Sequence, residues 1–323
     1  MSIVAALLAK KNLLAARIEG TSGVAESSLA SADSEFRVID RTFSIKSAYT
    51  ERAVQGAIGL DVGFFDGLST DLSFKVHLTG PGSALAAGPN WATTFLPACA
   101  CIDQSSNGLD GSNLIYKFTQ NTSFYETITA GFFRDGQQFV GRGMMGDFSI
   151  NLLAAKAATV DFKFMGGWEA DPGAVAIPTG MTYETTIPPY WGGTGGLTFN
   201  GSSTAAFTFT NECKIEAGNK VSLRQSPGYP GGYYGGFVGD RIIKWSLDPD
   251  STSFGTNNWW AFARAGSTCN ISAVVGTTVG NIITLASTGI QLIDSPAMAE
   301  REGRACDKLV FAALLDNFTM TFS

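Results

Sequence analysis

Histidine is almost missing from this chain of 323 residues, which carries one, His77. A metal site built from several imidazoles is therefore excluded, as is a repeated histidine-based catalytic triad. Charge is scarce as well: Asp, Glu, Lys and Arg make up 15% of the residues, with a net charge of −6 and a pI near 4.9. Such a chain has no basic footprint for gripping nucleic acid by its phosphates. The five cysteines are an odd number, and Cys99-Ala-Cys101 is spaced too closely for a CxxC redox or metal motif. Cys99, Cys101, Cys213, Cys269 and Cys306 are expected as buried free thiols. Long apolar runs are lacking too. Residues 1–20 open apolar, but Lys10-Lys11 follows the run instead of preceding it, which is not the order of a signal peptide, and the run is too short to span a membrane. Leu7, Leu8, Leu14 and Ile18 recur at near-helical spacing and predict a short amphipathic helix.

Glycine and phenylalanine are abundant, at 38 and 23, as in a turn-rich, mainly β chain. Sliding the sequence against itself by 169 positions (244 minus 75) puts Asp240 on Asp71, Lys244 on Lys75, Leu247 on Leu78 and Trp260-Ala261 on Trp91-Ala92, and Gly232 and Gly236 fall on Gly63 and Gly67. Each copy has a Gly-rich approach, an extended run, a break and a short aromatic segment with helical character. A repeat of this length is too long for a solenoid unit and matches a duplicated domain, the other reading being chance similarity between two Gly-rich β segments. The expected organisation is an arm and linker at 1–35, a first β domain at 36–168, a Gly/Pro-rich linker at 169–204 and a second β domain at 205–323.

Within the first domain, Leu72, Phe74, Val76 and Leu78 alternate with Asp71, Ser73, Lys75 and His77, the pattern of a strand with one face buried. Asp135-Gly136 predicts a tight hairpin turn, and residues 146–164 predict an antiparallel hairpin. Trp91–Ala98 predicts a short helix. In the second half, Phe207 and Phe209 open the strands, Arg241–Leu247 repeats the buried strand, and Trp259–Arg264 supplies the matching helix.

Candidate chemistry is sparse. Asp248 and Asp250 flank a proline and have the composition of a carboxylate pair, but Asp-Pro-Asp after a strand is ordinary turn chemistry. Glu300, Arg301, Glu302 and Arg304 read as a solvated or intersubunit charged loop. Gly193–Gly196 lacks the spacing and the following Lys-Ser/Thr of a phosphate loop. Tyr190 and Trp191 carry two readings, an exposed platform for sugar and a linker packed across a domain junction. No catalytic residue, cofactor or metal is expected.

The run Gly218-Asn219-Lys220-Val221 before a Gly-rich loop, the strand ending Ser246-Leu247-Asp248-Pro249-Asp250, Gly280-Asn281 and Glu300-Arg301-Glu302-Gly303 resemble the tail tube proteins of long-tailed bacteriophages. So do Leu78-Thr79-Gly80, Leu96-Pro97-Ala98-Cys99 and Phe164-Met165-Gly166-Gly167-Trp168 in the first half. The resemblance implies two tandem tail-tube-like β-sandwich or barrel domains, each with a short flanking helix, stacked as rings around a channel for DNA. It also implies a non-enzymatic virion protein assembled in the host cytoplasm, partnered by its own copies and other tail proteins and passed by double-stranded DNA without specific binding. Rings in that family are sixfold assemblies of one domain, so a duplicated chain implies three copies per ring, with a true hexamer as the alternative. Phe64, Phe65, Tyr229, Tyr233 and Tyr234 are expected in ring-stacking loops. Asp71, Ser73, Lys75 and His77 are expected to face an acidic lumen. A distal-tail or tail-completion protein and a carbohydrate-binding β-sandwich are the other readings.

Overall fold

The computed structural model describes residues 12–51, 63–82, 88–104, 113–192, 196–200, 210–253 and 257–323. Leu7 and Leu8 of the expected N-terminal helix, and Phe207 and Phe209 of the expected strand, lie outside these residues.

In chain order the strands of the first half are β1 (Asn12–Ile18), β2 (Val38–Glu51) and β3 (Gly63–His77), then helix α1 (Asn90–Phe95), then β4 (Cys101–Asp103), β5 (Leu114–Phe118), β6 (Ile128–Arg134), β7 (Gln137–Leu153) and β8 (Thr159–Ala174). The second half has β9 (Leu197–Phe199), β10 (Thr210–Glu216), β11 (Asn219–Gln225), β12 (Tyr233–Arg241) and β13 (Lys244–Pro249), then helix α2 (Trp259–Arg264). It ends with β14 (Thr268–Val275), β15 (Ile283–Leu292), β16 (Ala297–Arg301), β17 (Arg304–Ala313) and β18 (Phe318–Phe322). The fold is mainly β, with α1 and α2 at the two places where the repeat predicts helices. The 169-residue shift carries the bounds of α1 onto those of α2.

Sixteen of these strands form one large antiparallel sheet, whose main path runs β2-β3-β8-β7-β10-β13-β17-β15-β18-β5-β4. The sheet is open, so the barrel among the expected architectures is not what forms. Its path ends at β2 and β4, which among the described residues pair only with β3 and β5. Neighbours recur along the path. Lys75 of β3 lies between Ile39 of β2 and Asp161 of β8, and Lys244 of β13 lies between Glu216 of β10 and Ala312 of β17. The halves join through β7 and β10, in register from Ser149↔Glu216 to Leu153↔Glu212. β8 continues past residue 168 to Ala174, and β18 from the end of the chain pairs with β5 of the first half.

Residues at 12–18 form a strand, not the expected helix. Leu14 pairs with Phe132 and Ile18 with Ile128, so the segment covers the outer edge of β6. An unpaired edge offers a row of amide and carbonyl partners, which outweighs the weak helical preference of so short a segment. The Asp135-Gly136 turn forms as expected: Arg134 faces Gln137, and φ is 44° at Asp135 and 88° at Gly136, the conformation of a two-residue primed turn.

A single apolar core lies under both halves. Leu72, Phe74, Val76 and Leu78 are all buried, as their alternation predicts. Phe74 packs against Phe95 of α1 at 4.7 Å and against Phe162 at 5.3 Å between ring centroids. Trp91 and Trp245 are buried with their indole N–H groups satisfied, donating to Thr79 O at 3.1 Å and Ser287 Oγ at 2.9 Å. Buried aromatics with satisfied polar tips combine large apolar area with a fixed orientation.

Candidate assembly surfaces

Alternation in β3 propagates sideways, because directly paired residues on adjacent strands share a face. Asp71, Ser73, Lys75 and His77 pair with Met165, Lys163, Asp161 and Thr159 of β8. Those last three pair in turn with Asp147, Ser149 and Asn151 of β7, and Ser149 and Asn151 with Glu216 and Lys214 of β10. Lys244 and Ser246 of β13 complete the row. The result is one polar, solvent-touched face that crosses from the first half into the second, backed by the buried face of the same strands.

Charges on this face are interleaved. Lys46 pairs with Asp71, Lys75 with Asp40 at 3.6 Å, and Lys214 with Glu216 at 2.5 Å, while Asn151 Nδ2 donates to Asp161 at 2.9 Å. The acidic surplus of the whole chain is thus not concentrated here. Burial raises the Asp147 carboxyl above the ordinary carboxylate range, opposed by the backbone N–H of Asn219 at 2.9 Å. His77 stands at the end of the row, beside a cavity of about 350 Å³ bounded by Arg37, Trp91, Glu184 and Ile187.

The five aromatic residues singled out in the sequence occupy two environments. Phe64 and Phe65 lie in the distal part of the β2–β3 hairpin and are 48% and 69% exposed, with Tyr49 across the hairpin stacked edge-on against Phe65 at 5.7 Å. Residues 52–62 of that loop lie outside the described residues. Tyr229, Tyr233 and Tyr234 are half-buried. They belong to the β11–β12 hairpin, a separate two-stranded sheet that folds across β3, β7 and β8. Glycines permit the close approach: a Cβ at Gly236 would stand 2.6 Å from the Met165 carbonyl, and one at Gly167 2.8 Å from the Tyr233 carbonyl.

Arg142, between Gly141 and Gly143 on β7, anchors this contact and was not singled out from the sequence. Its side chain is 1% exposed. The guanidinium donates to the carbonyls of Gly23, Pro230, Tyr233 and Tyr234 at 3.1, 3.1, 2.8 and 2.9 Å, meets Glu169 at 2.7 Å, and lies 4.6 Å from the Tyr229 ring centroid. Beside it the buried Glu19 carboxylate accepts from the Gly23 and Gly143 amides and from the hydroxyls of Thr127 and Thr129. Five planar donors suit a convergence of carbonyls that no lysine can match. An arginine flanked by glycines in an apolar strand was the available signal.

The other polar candidates are structural. Arg301 bridges Asp248 at 2.7 Å and Asp250 at 2.5 Å, and Asp248 Oδ1 also accepts from the amides of Asn211 and Glu212. Both carboxylates are thereby committed to holding strand ends. Trp191 is buried and its backbone bonds to Lys156 and Ala155, leaving Tyr190 alone exposed at 62%. All five cysteines are free and buried, and burial raises the thiols of Cys99, Cys101 and Cys213, and that of Cys269 to about 12, away from reactive thiolate. Among the described residues no cluster of three His, Cys, Asp or Glu side chains is placed to hold a metal, and no helix is long and apolar enough to cross a membrane.

A family model described as phage tail tube protein matches residues 14–305. No curated protein matches the chain.

Proposed function

We propose, because the chain belongs to the phage tail tube protein family, that it is the subunit from which the rings of a tail tube are built, three copies to a ring. The observation that carries the stoichiometry is the recurrence of strand neighbours on either side of the β7–β10 junction, β2-β3-β8-β7 followed by β10-β13-β17-β15. Three chains of two such units supply six, and intra-chain and inter-chain junctions of similar rotation alternate around a closed ring. In this reading the polar face of Asp71, Ser73, Lys75 and His77, continued through Lys163, Ser149 and Lys214, lines the channel. Its interleaved charges offer passing DNA no run of cations to bind. The role is structural, without catalysis or cofactor. Its partners are copies of the same chain and other tail proteins, and its place is the virion after assembly in the host cytoplasm.

Electron cryomicroscopy of tubes viewed down their axis tests this. Three chains per ring with pseudo-sixfold density are expected, and six full-length chains in strict sixfold order would overturn the stoichiometry.

A further inference from the structure

The 169-residue shift that superimposes α1 on α2 also places Phe64 on Tyr233 and Phe65 on Tyr234. The two pairs therefore hold the same place in equivalent hairpins, yet Tyr233 and Tyr234 are packed against the first half of their own chain while Phe64 and Phe65 are exposed. The receiving surface has an equivalent as well. In the first half, the β12 hairpin strand passes the β8 backbone at Met165, four residues beyond Asp161, the partner of Lys75. In the second half, four residues beyond Ala312, the partner of Lys244, lies Asp316. There the strand does not continue as β8 does: it breaks at Leu314–Asp316, with φ of 54° at Leu315, and leaves Leu314 40% and Leu315 84% exposed. One chain thus carries an uncovered aromatic hairpin and an uncovered apolar seat, each the counterpart of a partner already engaged inside the chain.

We infer that Phe64 and Phe65 of one copy dock at Leu314–Leu315 of the next copy in the same ring, repeating between chains the contact that the β11–β12 hairpin makes within one. This rests on the tail-tube reading above, and it turns the expected axial, ring-stacking role of Phe64 and Phe65 into a lateral one. Hairpin and seat are different surfaces, so the contact is heterologous and propagates around a ring until it closes. Exposed aromatic and leucine side chains supply apolar area that association removes from water.

The experiment uses tubes assembled from the full chain. Phe65→Cys and Leu315→Cys are combined in one chain, and the tubes are treated with a short bismaleimide and resolved on a denaturing gel. A ladder that stops at three chains is expected; no cross-link, or a ladder that climbs without limit along the tube, overturns the inference. In parallel, Phe64→Ser/Phe65→Ser and, separately, Leu315→Asp are expected to keep the wild-type melting temperature as free subunits and to lose ring formation in micrographs. Unchanged tubes from both variants overturn the docking while leaving the tail-tube reading intact. Failure of the unaltered chain to form tubes under any assembly condition sinks that reading itself, and the docking with it.

Discussion

The guanidinium of Arg142 donates to the backbone carbonyl of Tyr233 at 2.8 Å, across 91 residues of sequence. That bond and its three companions tie the hairpin of the second half and the segment around Gly23 to the centre of the first. A cation this deeply buried is tolerated only when its donors are matched and a counter-charge is near, which Glu169 supplies.

Replacing Arg142 by alanine strips four carbonyls of their donor and leaves Glu169 without its partner. Glu169 is partly exposed and can be rehydrated, but a buried polar group left without its partner costs about 1–3 kcal/mol, so Arg142→Ala is expected to lower the denaturant midpoint of the free subunit clearly. Arg142→Lys keeps the charge but not the fork, and is expected to fall between alanine and wild type. A wild-type midpoint for the alanine variant would remove Arg142 from this anchoring role.

The pH dependence of stability has a definite sign at Asp147. Burial raises its folded-state pKa above the unfolded value, so the folded chain holds this proton more tightly than the unfolded one. Stability from this group is fully present below the unfolded pKa, about 3.9, declines as pH rises from there, and levels off above the folded pKa. Asp147→Asn removes the titration while keeping an oxygen to accept from the Asn219 amide. Chemical denaturation of both proteins across a pH series is expected to show the variant gaining on wild type as pH rises through that window. Parallel curves would mean that the carboxyl is as well solvated folded as unfolded.

What was legible in the sequence is what depends on neighbours in sequence. The alternation of Leu72, Phe74 and Val76 announces a one-faced strand, Asp135-Gly136 fixes a turn by backbone chirality, and the recurrence of tryptophan marks both helices. Pairings closed across long loops carry no such local mark. Leu13-Leu14-Ala15-Ala16 has no period of two, and its strand exists because β6, more than a hundred residues away, presents an open edge. The pairing of Phe322 with Leu114 is equally invisible locally. The same limit applies to the aromatic loops: composition finds Phe65 and Tyr234 alike, and only the fold distinguishes the one left exposed from the one already engaged.

The polar face offers a test by addition instead of removal. Ser73, Ser149 and Ser246 lie on β3, β7 and β13, on the face that carries Lys163 and Lys214, and each is partly solvent-exposed. Lysine at all three positions adds three cations per chain to a surface where acids and bases now alternate, without entering the core beneath. If this face lines the channel, the same cations recur in every ring along the bore, where successive phosphates of a threaded duplex meet them. The substituted tubes are then expected to retain DNA at low salt and release it steeply as salt rises, the logarithm of the binding constant falling with a slope of about 0.9 per phosphate neutralised. Linear duplex DNA with both ends blocked by bulky proteins, compared with the same duplex with free ends, separates the two surfaces, because threading needs a free end while binding to the outside of the tube does not. Retention that disappears when both ends are blocked places the serines inside the channel; retention indifferent to blocked ends places them on the outer wall, and the polar face would then not be the lumen.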